Sequence, residues 1–443
     1  MYCKEPTVLG HFPAEIWLGI LDEMERSCSY KSIAHLSQCN KFLNDLAERH
    51  LYRTYTTYRL YGEAAGRSLA AYFDTICNSP RLASLVTTLR IDKIDSSTAS
   101  KYSHHILEDA GQKIGIRVNK PALPSMSGFE QARIIINMLP CLLPNLKTLH
   151  LGLGIVGGVY KFQILCYWRD QSPDNRLRKL EVVKLDYGAE GTGIRPSDAP
   201  GLFSGVAPNI HTLFLRPRYV LTDMYVPRRL AQHHFCPALV PTLAKLRALH
   251  IDGNLPYTSR EGMLIQHCPK LEVFSYLKGV WDVHRDIRNL PVNTHAFLSY
   301  QYREWPVLEH TMAAILPQPP DLNLLHCTSL KVAHIDYELL VRWHLADVPR
   351  DRRIFKKILP PSLTAFHLYG ADRLPFLEYF YTIQPRLAGS HFPKLKELVF
   401  HTDADLAPES AIHSVLGRAM NQALSGLQLT PRVENSASRA WDG

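Results

Sequence analysis

One short motif keeps returning along most of this chain: a leucine or isoleucine, two mostly polar residues, then apolar, polar and apolar positions in alternation. It is legible in Leu146 to Leu151, Leu180 to Leu185, Ile210 to Leu215, Leu246 to Ile251, Leu271 to Tyr276, Leu330 to Ile335, Leu363 to Leu368 and Leu395 to Phe400, after a first version in Leu82 to Ile91. Alternation with period two puts every second side chain on the same face, so each copy predicts a short strand with one buried face. A proline often stands just before the first leucine, as at Pro144, Pro208, Pro269 and Pro393, where it ends whatever helix precedes it. One such unit cannot bury its apolar face alone, so the repetition predicts stacked repeats and an α/β fold with a parallel sheet. The interval from Phe274 to Ala333 has room for a further copy, expected in degenerate form at His295 to Tyr300. Connecting helices are predicted at Phe129 to Leu139, Thr258 to His267, Glu304 to Ile315 and Pro375 to Gln384. Gly188 to Ser204 and Pro217 to Ala238 read as excursions of the kind that bind partners.

The N-terminal segment has a different period. Pro13 can take the first helical position, and Ile16, Ile20, Leu21 and Met24 then recur with helical spacing on one face, up to a break at Ser27 to Ser29. Ser32 is placed to cap a second helix carrying Ile33, Leu36 and Cys39. Asn40 is placed to cap a third, with Phe42, Leu43, Leu46, Ala47 and Leu51 inward. So small a unit has a thin core, and Trp17, Leu18 and Leu21 are expected to need cover from a partner or the adjoining domain. Another helical stretch, Tyr58 to Ile76, leads into the repeats, although Gly62 and Gly66 weaken its pattern.

The order and spacing of Phe12-Pro13-x-Glu15-Ile16, Ile20-Leu21, the run from Leu36 to Phe42, Leu46-Ala47 and Leu51-Tyr52-Arg53-Thr54 resemble an F-box in its fungal form. It differs from the commonest pattern at Phe12, where leucine is usual, and at Asn40, where a basic residue usually follows the cysteine. The later repeats resemble leucine-rich repeats in long, irregular form. Together these resemblances imply a three-helix F-box domain at 9–55, a helical linker at 56–80 and a leucine-rich-repeat-like solenoid at 81–429; the tail at 430–443 loses the pattern and is expected to be disordered. They further imply docking on a Skp-type adaptor, and through it on a cullin, by Phe12, Pro13, Ile16, Ile20, Leu21, Leu36, Cys39 and Phe42. The chain would then be the substrate-recognition subunit of a cullin-RING (SCF-type) ubiquitin ligase. Its repeats would hold a target protein, and other subunits would perform the chemistry.

In the repeats, Lys184, Phe214, His250, Ser275, His334 and His367 share the polar position between two inward residues, as does His150. They are expected to stack as an outward row on a solvated concave surface, able to contact a target without chemistry. The pairs His104-His105 and His233-His234, the latter near Cys236, lack the spacing of a four-ligand zinc site. In His267-Cys268 and His326-Cys327 the thiol sits just before a strand, where packing is expected rather than activation. Cys39 is assigned to the core of the helical domain. Gly188 to Gly193 lacks the Lys-Ser or Lys-Thr that completes a phosphate loop. No nucleophile, base and stabiliser assemble, so a receptor or scaffold without a cofactor is expected, not an enzyme.

Composition adds three points. The nine cysteines form no Cys-x-x-Cys pair, which fits reduced thiols. No apolar run approaches the ~20 residues that span a bilayer, and the first residues lack an apolar signal core, so a cytoplasmic or nuclear protein with no membrane partner is expected. The formal charge of +9 is carried beyond residue 60, because basic and acidic residues balance before it. That excess, with the run Arg350 to Lys357, keeps a nucleic-acid-binding repeat protein as one alternative and a ligase-independent scaffold as another. Aromatics do not interleave with the basic residues as stacking platforms require, which argues against nucleic acid.

Overall fold

In a computed structural model of the chain, the described residues are 12–27, 29–57, 60, 62–91, 104–115, 128–153, 177–187, 206–217, 240–252, 265–277, 323–336, 358–369, 392–402 and 432–435. They form an α/β protein whose paired strands run parallel and follow one another in chain order. The chain divides into two compact units, Met1–Lys184 with Gly205–Asn209, and Leu185–Ser204 with Ile210–Gly443.

The first unit opens with three helices, α1 (Ala14–Arg26), α2 (Tyr30–Ser37) and α3 (Lys41–Arg53). Pro13 is the residue before α1 rather than its first, and its carbonyl accepts from Ile16 N and Trp17 N. The phase of α1 differs from the sequence reading: Trp17 and Leu21 face the core, while Ile16 and Ile20 are exposed. Trp17 and Leu21 are thus already covered. Leu21 packs with Ile33 of α2 and Ala47 of α3, and Met24, Tyr30, Leu36, Leu46 and Leu51 close around them. Helix α2 begins after Ser29, so Ser32 is not its cap. Asn40 does cap α3, its side-chain oxygen accepting from Leu43 N at 2.8 Å. Replacing Asn40 by alanine is expected to lower stability by about 1 kcal/mol, read from urea denaturation.

Helix α3 runs straight into a strand that the sequence pattern did not reveal, β1 (Thr54–Thr56), which pairs with β2 (Thr88–Ile91). Between them lie α4 (Gly62–Asn78) and α5 (Pro80–Leu85). The Tyr55 and Tyr72 rings stack at 3.7 Å, and Arg81 forms an ion pair with Glu48 of α3. The helical trio is therefore continuous with the ladder of its unit. Next come α6 (His104–Ile114), α7 (Gly128–Met138) and β3 (Thr148–Leu153), which pairs with β2. His104-His105 opens α6. Strand β4 (Val182–Tyr187) spans the sequence boundary between the units.

The second unit contains β5 (Thr212–Pro217), a short α8 (Val240–Leu243), β6 (Ala248–Asp252), β7 (Val273–Leu277), β8 (Val332–Asp336), β9 (Ala365–Tyr369), β10 (Glu397–Thr402) and β11 (Arg432–Asn435). Strands β6 to β10 start alike. The first two amides of a repeat share one carbonyl of the preceding repeat: Glu272 N and Val273 N donate to Arg247 O, Lys331 N and Val332 N to Glu272 O, Thr364 N and Ala365 N to Lys331 O, and Lys396 N and Glu397 N to Thr364 O. Inward residues such as Leu249, Phe274, Ala333, Phe366 and Leu398 are buried, as the alternation predicts. Strand β11 pairs with β10 across Val399 to Thr402, which corrects the expectation of a disordered tail at 432–435. The expected copy at His295 to Tyr300, the helices at Glu304 to Ile315 and Pro375 to Gln384, most of Thr258 to His267, both excursions and the run Arg350 to Lys357 lie outside the described residues. Among the described residues, no helix is long and apolar enough to cross a membrane.

Candidate functional site

The helical trio presents apolar side chains to solvent. Phe12, Ile16 and Ile20 are 49, 50 and 39 % exposed, and Phe42, at the start of α3, is 47 % exposed. Ile16 and Ile20, four residues apart, form one stripe along α1, and Phe12, two residues before the helix, packs edge-on against Trp17. The stripe exists because α1 carries two apolar faces. Trp17 and Leu21 fill the core, and the pair one residue earlier on each turn is left over. Of the remaining residues singled out in the sequence, Pro13 and Cys39 are exposed, Leu36 is half-buried, and Leu21 is buried at 1 % exposure. Cys39 lies past the end of α2, its thiol directed to His35 O, so it does not belong to the core.

On the opposite side of the chemistry, α1 and α3 are joined by polar groups that sequence spacing did not reveal. His50 is buried on α3, and its Nδ1 lies 2.9 Å from a Glu25 oxygen and 3.7 Å from Asp22. Arg53 stands 3.7 Å from the same Glu25 oxygen. Ligand atoms of Asp22, Glu25 and His50 lie within 4.8 Å of one another, a spacing that a metal ion can use. Glu25 already has an imidazole and a guanidinium as partners, so the group acts as a tie between the helices. The contacts join residues far apart in sequence, which hides them from a local pattern.

In the second unit, register brings the predicted row together. Phe214 pairs with His250, His250 with Ser275, Ser275 with His334 and His334 with His367. Lys184 belongs to the first unit. The Phe214 and His250 rings stack at 4.2 Å, as do those of His334 and His367. Two residues further along their strands, Tyr369 and His401 complete the array, and the sequence reading missed both. The Tyr369 hydroxyl and His334 Nδ1 are hydrogen-bonded at 3.2 Å, and His367 Nδ1 and His401 Nε2 at 3.2 Å. Tyr369 stacks on His401 at 3.9 Å, so one hydrogen-bonded pair of rings lies on the other.

This row is not the solvated surface expected. Ser275, Tyr369 and His401 are buried, while Phe214, His250, His334 and His367 are half-buried. Burial pushes the His334 pKa down to about 3, and the neighbouring His367, His250 and His401 rings add to the shift. At neutral pH His334 is therefore an uncharged ring in a stack.

The two cysteines beside histidines behave as packing groups. Cys268 and Cys327 are fully buried in equivalent turns, each accepting from the leucine that opens the next motif, Leu271 and Leu330. Burial raises the pKa of both, that of Cys327 to about 12, which is opposite to what an activated thiolate requires. His326 turns its Nε2 to Ile265 O at 3.0 Å and fastens one turn to the previous one. No protein-family model matches the chain, and no curated protein matches it closely enough to serve as a relative.

Proposed function

We propose that the chain is the substrate-recognition subunit of an SCF-type ubiquitin ligase, with its helical trio acting as an F-box and its repeats as a leucine-rich-repeat receptor. The observation that carries this reading is the set of exposed apolar residues, Phe12, Ile16, Ile20 and Phe42, on a trio whose core is complete without them. Large side chains left outside so small a unit mark a surface that a partner covers. These four are among the residues that the F-box resemblance assigns to a Skp-type adaptor. Leu21, at 1 % exposure, holds the core instead, and Pro13, Leu36 and Cys39 are left as border positions. The arrangement asks for proximity rather than bond chemistry. An adaptor held at the trio and a target held by the repeats share one chain, which raises the local concentration of the target's lysines.

The test is co-purification with a Skp-type adaptor and a cullin. Changing Ile16→Asp together with Ile20→Asp buries charge in the proposed contact, and a loss of adaptor affinity of about a hundredfold or more is expected. Both positions face solvent, so the denaturation midpoint should not move. Full adaptor binding by this variant would remove the F-box assignment. Recovery of adaptor without cullin would favour the scaffold alternative.

A further inference from the structure

We propose that the turns preceding the strands of the second unit form a docking edge for an acidic polypeptide segment. This inference does not depend on the ligase reading, because it concerns a charged surface of the repeats alone. The hydrogen bonds that start each strand put Arg247, Glu272, Lys331, Thr364 and Lys396 in one column, each backbone carbonyl but the last accepting from the next repeat. Lys245, Lys270 and Lys394 stand two residues earlier in their own turns, and so form a second column beside the first. Lys245, Arg247, Lys270, Lys331, Lys394 and Lys396 are all exposed. Acids are sparse along this edge in the described turns. Glu272 is engaged by Lys331 Nζ at 2.7 Å, which holds its carboxyl below the usual range, and Glu397 is half-buried at the start of β10.

Part of the basic charge of the chain lies on this edge. Parallel strands are spaced at about 4.8 Å, so the edge from β6 to β10 covers roughly 19 Å, the length of about six residues of extended peptide. In the first column Arg247, Lys331 and Lys396 stand two strands apart, about 9.6 Å, and a partner with negative charges along its length meets them in turn while its counter-ions are released. Two observations favour a polypeptide over a nucleic acid. The only large apolar side chain exposed among the described residues of this unit, Leu325, lies in the turn before β8 on this edge, at 37 % exposure. The rings of the described row, by contrast, lie buried or half-buried in the stack on the sheet face, away from any base that would need them. The partner that fits is an acidic segment carrying an apolar side chain near its middle.

Fluorescence anisotropy on the full chain tests this with two probes: an oligoglutamate peptide carrying one central leucine, and an oligothymidylate of equal charge. The peptide should bind more tightly, with an affinity that falls as salt is raised. Lys245→Glu with Arg247→Glu, and separately Lys394→Glu with Lys396→Glu, should each weaken it at least tenfold. Arg49→Glu with Arg67→Glu, an equal reversal on exposed helical sites of the first unit, should change it less than twofold. An equal loss with that control, no loss in either edge variant, or tighter binding of the oligothymidylate would overturn the proposal.

Discussion

Alanine in place of Leu21 is expected to cost about 3 kcal/mol of stability, whereas alanine at Ile20, one residue earlier, should cost less than about 0.5 kcal/mol. The two residues are adjacent and both aliphatic, so composition and helix propensity do not separate them. Their faces do. Leu21 is 1 % exposed and meets α2 and α3 through Ile33 and Ala47, and removing its side chain leaves a cavity in a core with few other members. Ile20 is 39 % exposed and touches that core little. Urea denaturation of the two variants checks the pair. Adaptor affinity should show the reverse order once the lost stability of the Leu21 variant is allowed for. Equal destabilisation by both would mean that the observed phase of α1 is wrong.

Acid should unfold the second unit selectively through its ring stack. A histidine takes up a proton near pH 6.5 when unfolded, but His334 resists protonation down to about pH 3 in the folded chain. Below pH 6.5 the unfolded state therefore binds the proton that the folded state refuses. Stability is complete above pH 6.5 and declines as the pH falls from there toward 3. At pH 5 the loss is about 2 kcal/mol, from roughly 1.4 kcal/mol for each pH unit below the unfolded value. Phenylalanine at 334 keeps a ring against His367 and has no proton to accept. The His334→Phe variant is expected to lose that part of the acid sensitivity, measured as the difference in urea midpoint between pH 7.5 and pH 5. An unchanged difference would place the acid response elsewhere.

Much of the fold was legible because burial on one face imposes a period. Leu149, Val183, Leu213, Leu249, Phe274, Ala333, Phe366 and Leu398 lie in strands that alternation alone predicts. Strands β1 and β11 escaped because Thr54–Thr56 is too short to show a period and Arg432–Asn435 has no leading leucine. The phase of α1 escaped for another reason. Ile16 and Ile20 recur with the same spacing as Trp17 and Leu21, and a periodic pattern does not say which of two apolar stripes faces inward. The row of rings was read as a solvated surface, and its burial was missed. Histidine is polar by type, and only the register between strands from distant parts of the chain reveals that His334, His367, Tyr369 and His401 neutralise one another's need for water. The Asp22, Glu25 and His50 group was hidden in the same way, since α1 and α3 come together only after folding.

The shared carbonyl at the start of each strand has a consequence for how such a chain can change over generations. Arg247 O, Glu272 O, Lys331 O and Thr364 O fix where the next strand begins, whatever length of chain lies between. The connection before Lys331 is much longer than the one before Glu272, and both strands start identically. Gene insertions between motifs are therefore tolerated as long as the incoming leucine and its two following amides survive. A single-residue deletion inside a motif would flip every later side chain of that strand to the wrong face. Variation in length should accumulate between the motifs, and variation in side chain within them.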